Sequence, residues 1–121
     1  MRENEIQNKS IAYAKRIVAA YQYLCQDKKE YILSKQMLRC GTSIGANVTE
    51  AQYGSSRKDF LNKLYIALKE CAETLYWLEL LASGGYFTDA EYQSLYSDGE
   101  ELRKILSSIT KSVRDHMEDN S

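Results

Sequence analysis

Apolar residues recur along this chain at helical intervals, and no segment shows the two-residue alternation of a strand. In the first segment Ile6, Tyr13, Ile17, Ala20 and Leu24 share one face, with Ile11, Ala14, Val18 and Cys25 in a second stripe beside it. Together the stripes cover about half of a helix circumference, an arc wide enough to meet more than one neighbouring helix. The spacing predicts a helix over 4–26. A polar stretch, Gln26-Asp27-Lys28-Lys29-Glu30, interrupts it. The next helix is expected over 34–53, with Ser34 as its N-cap and Leu33, Met37, Gly41, Ile44, Val48 and Ala51 facing the core.

The third helix is expected over 57–83. Ser56 is its N-cap with Asp59 three residues on, and Gly84-Gly85 is its stop. Its core stripe is Phe60, Leu64, Ala67, Cys71, Leu75, Leu78 and Ala82. The fourth, over 89–115, begins with a capping box of Thr88 and Glu91 and a hydrophobic staple of Phe87 and Tyr92. Leu95, Leu102, Leu106, Ile109 and Val113 then line one face, and the polar tail from Asp115 is expected to fray. Four amphipathic helices joined by short loops predict an all-α fold. The expected form is a single domain, 1–121, an antiparallel up-down-up-down four-helix bundle that assembles into a homo-oligomer.

Three glycines fall inside these helices, Gly41 and Gly99 on the core stripes and Gly45 beside one. Glycine costs a helix about 1 kcal/mol against alanine, so each asks for a reason. Gly41 and Gly45 lie four apart, which suits a close approach of two helices. Phosphate cradling is the other use, but no strand precedes them and no Gly-Lys-Ser/Thr follows. Gly99 marks either a kink or a second close approach.

The third helix has more apolar residues than one face needs. Ile66, Trp77, Leu80 and Leu81 point away from Leu75 and Leu78, and Trp and Tyr are favoured interface anchors. Self-association is expected there, unless the wide arc of the first helix or the tail covers the patch within one chain. A second candidate stripe is Arg39, Ser43, Ala46, Glu50 and Tyr53. Arg39 and Glu50 are three turns apart, too far to pair, so each must find water, another helix or another subunit. A phosphate contact is the functional alternative for Arg39. Arg39, Glu50, Tyr53, Ile66, Trp77, Leu80 and Leu81 are thus the candidate interface residues.

Composition changes the picture in two places. The 121 residues contain no proline, where about six would be ordinary, so nothing forces a helix to stop. The net charge of −1 excludes a whole-protein cationic field, but it hides an asymmetry. Residues 1–69 hold twelve Lys/Arg and six Asp/Glu, a balance of +6, whereas residues 70–121 hold four and eleven, a balance of −7. Basic and acidic helices attracting each other across the bundle would explain this. A basic surface on the first three helices that attracts phosphate is the sharper reading. Its candidate residues are Lys15, Arg16, Lys28, Lys29, Lys35, Arg57, Lys58 and Lys63.

Catalysis finds little support. The single histidine, His116, sits in the tail, and Val113 stands where a Glu-x-x-His iron site needs its glutamate. No nucleophile–histidine constellation can be assembled around it, and Glu70, Glu73 and Glu79 look like outer positions. Cys25, Cys40 and Cys71 form neither a CxxC pair nor an even disulfide framework. No metal or cofactor is expected. Free cysteines, the absence of an apolar leader after Met1 and the absence of a membrane-length apolar run predict a cytoplasmic protein with no membrane partner.

The run Leu38-Arg39-Cys40-Gly41-Thr42-Ser43-Ile44-Gly45-Ala46-Asn47-Val48-Thr49-Glu50-Ala51 resembles the signature of the 23S ribosomal RNA intervening-sequence proteins, a four-helix-bundle family. Arg39, Ser43, Ile44, Asn47, Glu50 and Ala51 occupy its places. Ser56-Arg57-Lys58-Asp59-Phe60 and Ile66-Ala67-Leu68-Lys69-Glu70 resemble the family's third-helix opening, and the likeness extends from Ile11 to Val113. The resemblance implies a four-helix subunit and a ring-like homopentamer. Some members are encoded within intervening sequences of large-subunit ribosomal RNA genes. A related group, the accessory variability determinants of diversity-generating retroelements, is similar in fold. Those are basic pentamers that bind nucleic acid and a reverse transcriptase. The charge of −1 departs from that group.

Two readings follow. The first is a non-enzymatic oligomeric scaffold whose basic patches contact structured RNA or DNA. The second is an oligomeric protein–protein module, with a reverse transcriptase or other protein as partner and no nucleic acid.

Overall fold

The structure, a computed structural model, describes residues 2–119; Met1, Asn120 and Ser121 lie outside the described residues. It contains four helices, α1 Arg2–Gln26, α2 Leu33–Gln52, α3 Arg57–Ser83 and α4 Asp89–Asp119, with no strand among the described residues. Each helix packs on two neighbours, in the cycle α1, α2, α3, α4 and back to α1, and the diagonal pairs do not meet. Cross-helix contacts show the antiparallel order: Lys9 reaches Glu101 while Arg16 reaches Asp98, and Arg39 reaches Glu73 while Glu50 reaches Lys63. The α1–α2 and α3–α4 turns therefore lie at one end of the bundle, and the α2–α3 turn at the other.

Ile6, Ile17, Leu24, Met37, Ile44, Leu64, Leu78, Leu102 and Leu106 form the centre of the core, all essentially inaccessible. Burial on this scale is the main force holding amphipathic helices together, since short helices are marginal alone in water. The glycines explain how closely they pack. A Cβ on Gly41 would stand 2.8 Å from Ile17 Cγ2, and one on Gly99 would stand 2.7 Å from the Tyr13 hydroxyl. Both glycines mark close helix approaches, as the stripe positions predicted. Tyr13 donates its hydroxyl to Leu95 O at 3.0 Å, which satisfies a polar atom buried between α1 and α4.

Local chemistry sets the boundaries. Asp59 N donates to Ser56 Oγ at the start of α3. Thr88 and Glu91 exchange both capping-box bonds, Thr88 N to Glu91 Oε1 at 2.8 Å and Glu91 N to Thr88 Oγ1 at 3.1 Å. α3 ends in a Schellman arrangement. Tyr86 N donates to Leu81 O and Gly85 N to Ala82 O, with Gly85 in the left-handed region at φ 82°.

Three expectations are corrected. Ser34 is not the cap of α2. Its hydroxyl donates to Glu30 O, while the Glu30 carboxylate accepts from Ile32 N, Leu33 N and Ser34 N. A carboxylate reaching three free N–H groups outcompetes one hydroxyl. Helix α4 does not end at Asp115 but continues to Asp119. Leu81 is 0% exposed and belongs to the core. The inward face of α3 steps from Leu78 by three residues rather than four, so Leu81 takes the place expected of Ala82, which is half-buried.

Candidate interaction surfaces

The eight candidate phosphate-binding residues do not form one patch. Lys28, Lys29 and Lys35 gather at the α1–α2 turn, all exposed, with Lys29 in the left-handed region at φ 56° and Lys28 Nζ 5.9 Å from the Tyr23 ring centre. Glu30, within the same turn, is buried beneath them as the cap of α2. Burial would push its carboxyl upward, but the three backbone N–H bonds outweigh that and hold its pKa below the ordinary carboxylate value. Arg57 and Lys58 lie at the opposite end, beyond the 20 residues of α2, a separation of about 30 Å at the helical rise. Arg57 stacks 4.6 Å from the Phe60 ring centre. Two candidates are already engaged: Arg16 with Asp98 at 2.6 Å and with Ser94, and Lys63 with Glu50 at 2.9 Å. Lys15 is exposed on the middle of α1.

Arg39 and Glu50 find their partners on α3. Arg39 pairs with Glu73 and stands 3.5 Å from Glu70, and Glu50 pairs with Lys63. Their stripe is an interhelical ion-pair seam within one chain. Arg39, held between two carboxylates, sits in surroundings that repel phosphate. Glu70 Oε2 is buried and accepts no hydrogen bond, although the Arg39 guanidinium lies beside it. Among the described residues four ion pairs join the basic first segment to the acidic second: Lys9–Glu101, Arg16–Asp98, Arg39–Glu70 and Arg39–Glu73. Part of the charge asymmetry is thus neutralised inside the bundle.

The apolar surface is distributed differently from expectation. On α3, Ile66 is 42% exposed and Tyr76 52% exposed, while Trp77 and Leu80 are half-buried. Trp77 packs against the core, meets Tyr76 edge-on with ring centres 5.0 Å apart, and donates Nε1 to Glu73 Oε2 at 3.3 Å. The second stripe of α1, expected to be covered by a neighbouring helix, is open. Ile11 and Val18 are 41% and 40% exposed and, with Ala14, line one wall of a groove of about 630 Å³. Thr42, Gly45 and Ala46 of α2 form the other wall, and Lys15 stands at the rim. The width of the α1 arc was the signal for this groove. Small residues on the facing helix hold the two backbones close at their core edge and leave the outer edge empty. Tyr53, 83% exposed, projects at the end of α2 beside the Arg57 turn.

Two of the three cysteines, Cys40 and Cys71, are buried. Burial pushes the Cys40 thiol up to about 11 and the Cys71 thiol to about 12, so both stay protonated at neutral pH. Cys71 instead donates to Gly99 O at 3.2 Å. Among the described residues no three His, Cys, Asp or Glu side chains converge as metal ligands, and no helix is long and apolar enough to cross a membrane.

The model of the 23S rRNA-intervening sequence protein family matches residues 2–108. No curated protein matches the chain. A crystal structure of a protein of unknown function from the S23 ribosomal protein family of Bacteroides thetaiotaomicron is similar, with a TM-score of 0.91 and 51% sequence identity. The similarity covers 92% of this chain and 99% of that one. With the four-helix architecture and the Arg39–Ala51 motif in place, a family match over nearly the whole length shows that this chain belongs to the 23S rRNA-intervening sequence protein family.

Proposed function

We propose that the protein is a non-enzymatic cytoplasmic scaffold that works as a homo-oligomer, a ring of five copies, and contacts structured RNA through basic clusters repeated around the ring. The observation that carries self-association is the open stripe Ile11–Ala14–Val18 on α1. Contiguous apolar grooves on a soluble domain mark sites of contact, and a second copy is an occupant present at every concentration of the protein. The stoichiometry of five rests on the family resemblance. RNA contact is supported by Lys28, Lys29 and Lys35, which share one end while the nearby Glu30 carboxylate is turned inward. Repetition of a three-lysine cluster by symmetry raises the number of phosphates a ring can meet beyond what a chain of charge −1 offers alone.

Sedimentation or light scattering at micromolar concentration tests the assembly. The wild type should run as an oligomer and Val18→Glu as a smaller species with unchanged helical circular dichroism. A monomeric wild type would sink this reading. For RNA, affinity should fall linearly on a log–log plot against salt, and Lys28→Glu with Lys29→Glu should flatten that slope. One observation favours a protein partner instead: Tyr31 and Ile32 at the same turn are 55% and 76% exposed, an apolar tip set among the lysines. Affinity indifferent to salt, with binding lost in Ile32→Asp, would select that reading.

A further inference from the structure

The end of the bundle that carries the α1–α2 and α3–α4 turns is divided by charge. The α1–α2 turn exposes Lys28, Lys29 and Lys35 against one exposed carboxylate, Asp27, because Glu30 is buried. Beside it, the last turn of α3 and the start of α4 expose Glu79 and Asp89, and residues 70–102 contain no Lys or Arg. Packed helices lie about 10 Å apart, so the two turns are close neighbours. On the basic side stands an uncovered aromatic ring. Tyr31 is 55% exposed and makes no side-chain hydrogen bond and no ring contact among the described residues. Lys28 lies over Tyr23 instead. The backbone on both sides of Tyr31 is pinned. Glu30 N donates to Leu24 O at 3.0 Å, and Ile32 N and Leu33 N donate to the Glu30 carboxylate at 3.1 and 3.0 Å. Tyrosine has only two side-chain torsions, so a ring presented this way loses little freedom on contact.

We infer that this turn takes unpaired nucleotides, with the Tyr31 ring stacked on a base and the three lysines on the adjoining phosphates. This rests on the RNA contact proposed above and specifies the form of RNA that makes it. In a duplex the bases stack on one another, and an A-form helix offers a protein phosphates, 2′-hydroxyls and base edges in a shallow groove. An uncovered ring finds no flat apolar partner there. A single-stranded or extruded base presents its faces, and an aromatic ring beside cations holds such a base with little regard to sequence. The charge division points the same way. A duplex laid across the end sets one phosphate rail on the lysines and the other beside Glu79 and Asp89, whereas a single strand fits the α1–α2 turn alone. The cap of α2 decides which groups meet phosphate. Glu30 already occupies the N–H groups of that helix end, so the lysines carry the contact rather than a backbone cradle. Ile32, 76% exposed next to Tyr31, extends the apolar edge on which the base rests.

Fluorescence anisotropy with two labelled RNAs tests this on the intact protein. One is an unstructured oligouridylate of about 12 nucleotides, within the span of single-strand sites; the other is a blunt duplex of the same length. The single strand should bind more tightly. Tyr31→Ala should weaken it about tenfold, equivalent to about 1.4 kcal/mol, and leave both the duplex affinity and the salt slope unchanged. Tyr31→Phe, which keeps the ring, should bind like the wild type. Tyr53→Ala, at an exposed tyrosine of the opposite end, should change nothing. Circular dichroism checks that each variant keeps its helices. Suppose Lys28→Glu with Lys29→Glu flattens the salt slope but Tyr31→Ala binds like the wild type, or the duplex binds as tightly as the single strand. Then stacking fails while the RNA contact stands, and the exposed tip passes to a protein partner. An equal loss in Tyr31→Phe and Tyr31→Ala would make the hydroxyl the contact and overturn stacking as well. If neither RNA binds at low salt, both readings fail together.

Discussion

Helix α2 is shared between two seams built on different principles. Against α1 it presents Gly41 and Gly45, and the backbones come so close that Ile17 fills the space a side chain would take. Against α3 it presents Arg39 and Glu50, which meet Glu70, Glu73 and Lys63 along the outer edge. The glycine seam is stabilised by dispersion and apolar burial, which depend steeply on shape and hardly on salt. The ionic seam lies above a conventional leucine-rich core, and its outer pairs are half in water. Such a contrast teaches where the molecule tolerates change. A new methyl group is costly in the first seam and a lost charge is cheap in the second.

The strongest way to break that contrast is Gly41→Leu. Its Cβ alone would stand 2.8 and 2.9 Å from two atoms of Ile17, a β-branched residue that is itself 0% exposed and cannot swing aside. Overpacking a close-packed core costs about 1–3 kcal/mol, and this site belongs at the upper end. The gain of roughly 1 kcal/mol from removing a helical glycine offsets only part of it. Thermal or urea unfolding should show a loss of about 2 kcal/mol or more. A variant as stable as the wild type would mean that the α1–α2 seam yields, and the distinction between the seams would collapse.

Next in size is Glu30→Ala, at the turn that sets how α1 enters this seam. The carboxylate accepts from three backbone N–H groups of α2, with Ser34 N at 2.7 Å. Loss of an N-cap acceptor costs about 1–2 kcal/mol. The pH dependence has a definite sign. Glu30 is held below its ordinary pKa in the fold, so its contribution is fully present above the unfolded-state value of about 4.3. It is lost as pH falls through the lower folded value. Between neutral pH and pH 5 the stability difference between wild type and Glu30→Ala should be constant, and it should shrink on further acidification. A difference that grows as pH falls would contradict the capping role.

The parts of this fold legible in the sequence are those decided locally. Ser56 and Asp59, the Thr88–Glu91 box and Gly84-Gly85 lie within a few residues of the helix ends they set, so the bounds of α3 and the start of α4 follow from short-range chemistry. Leu81 and Ser34 were misplaced for long-range or competitive reasons. A face over 27 residues drifts by one position without breaking the apolar pattern, and only α2 and α4 show which way it drifts. Ser34 is a good cap by type, but Glu30 reaches the same N–H groups from outside the helix. Ile11 and Val18 were legible as a stripe but not as an exposed one, because an apolar arc looks the same whether a helix of its own chain or another copy covers it. The lysines of the candidate site were legible singly. That Lys28, Lys29 and Lys35 share an end which Arg57 and Lys58 do not depends on the direction of α2, a property of the topology alone.

The smallest expected effect sharpens the other side of the contrast. Arg39→Met keeps most of the aliphatic stem of the side chain and removes its charge, so packing over α3 is largely retained. Arg39 is 52% exposed as a side chain and Glu73 38%, so water and salt screen their attraction, and such pairs contribute about 1 kcal/mol or less. Glu70 adds to this, because its Oε2 is buried beside the guanidinium without a hydrogen bond, so removing the cation leaves that carboxylate the least compensated charge of the seam. A double-mutant cycle of Arg39→Met with Glu73→Gln separates the two terms. The Arg39–Glu73 coupling should be under about 1 kcal/mol at physiological salt and should shrink at 1 M salt, where the screening length is about 3 Å. Any cost of Arg39→Met that persists at 1 M salt is then assigned to Glu70, and Glu70→Gln in the same background should recover it. A coupling of several kcal/mol that ignores salt would place the ionic seam on the same footing as the glycine seam. It would make Arg39 a determinant of the fold rather than a replaceable surface charge.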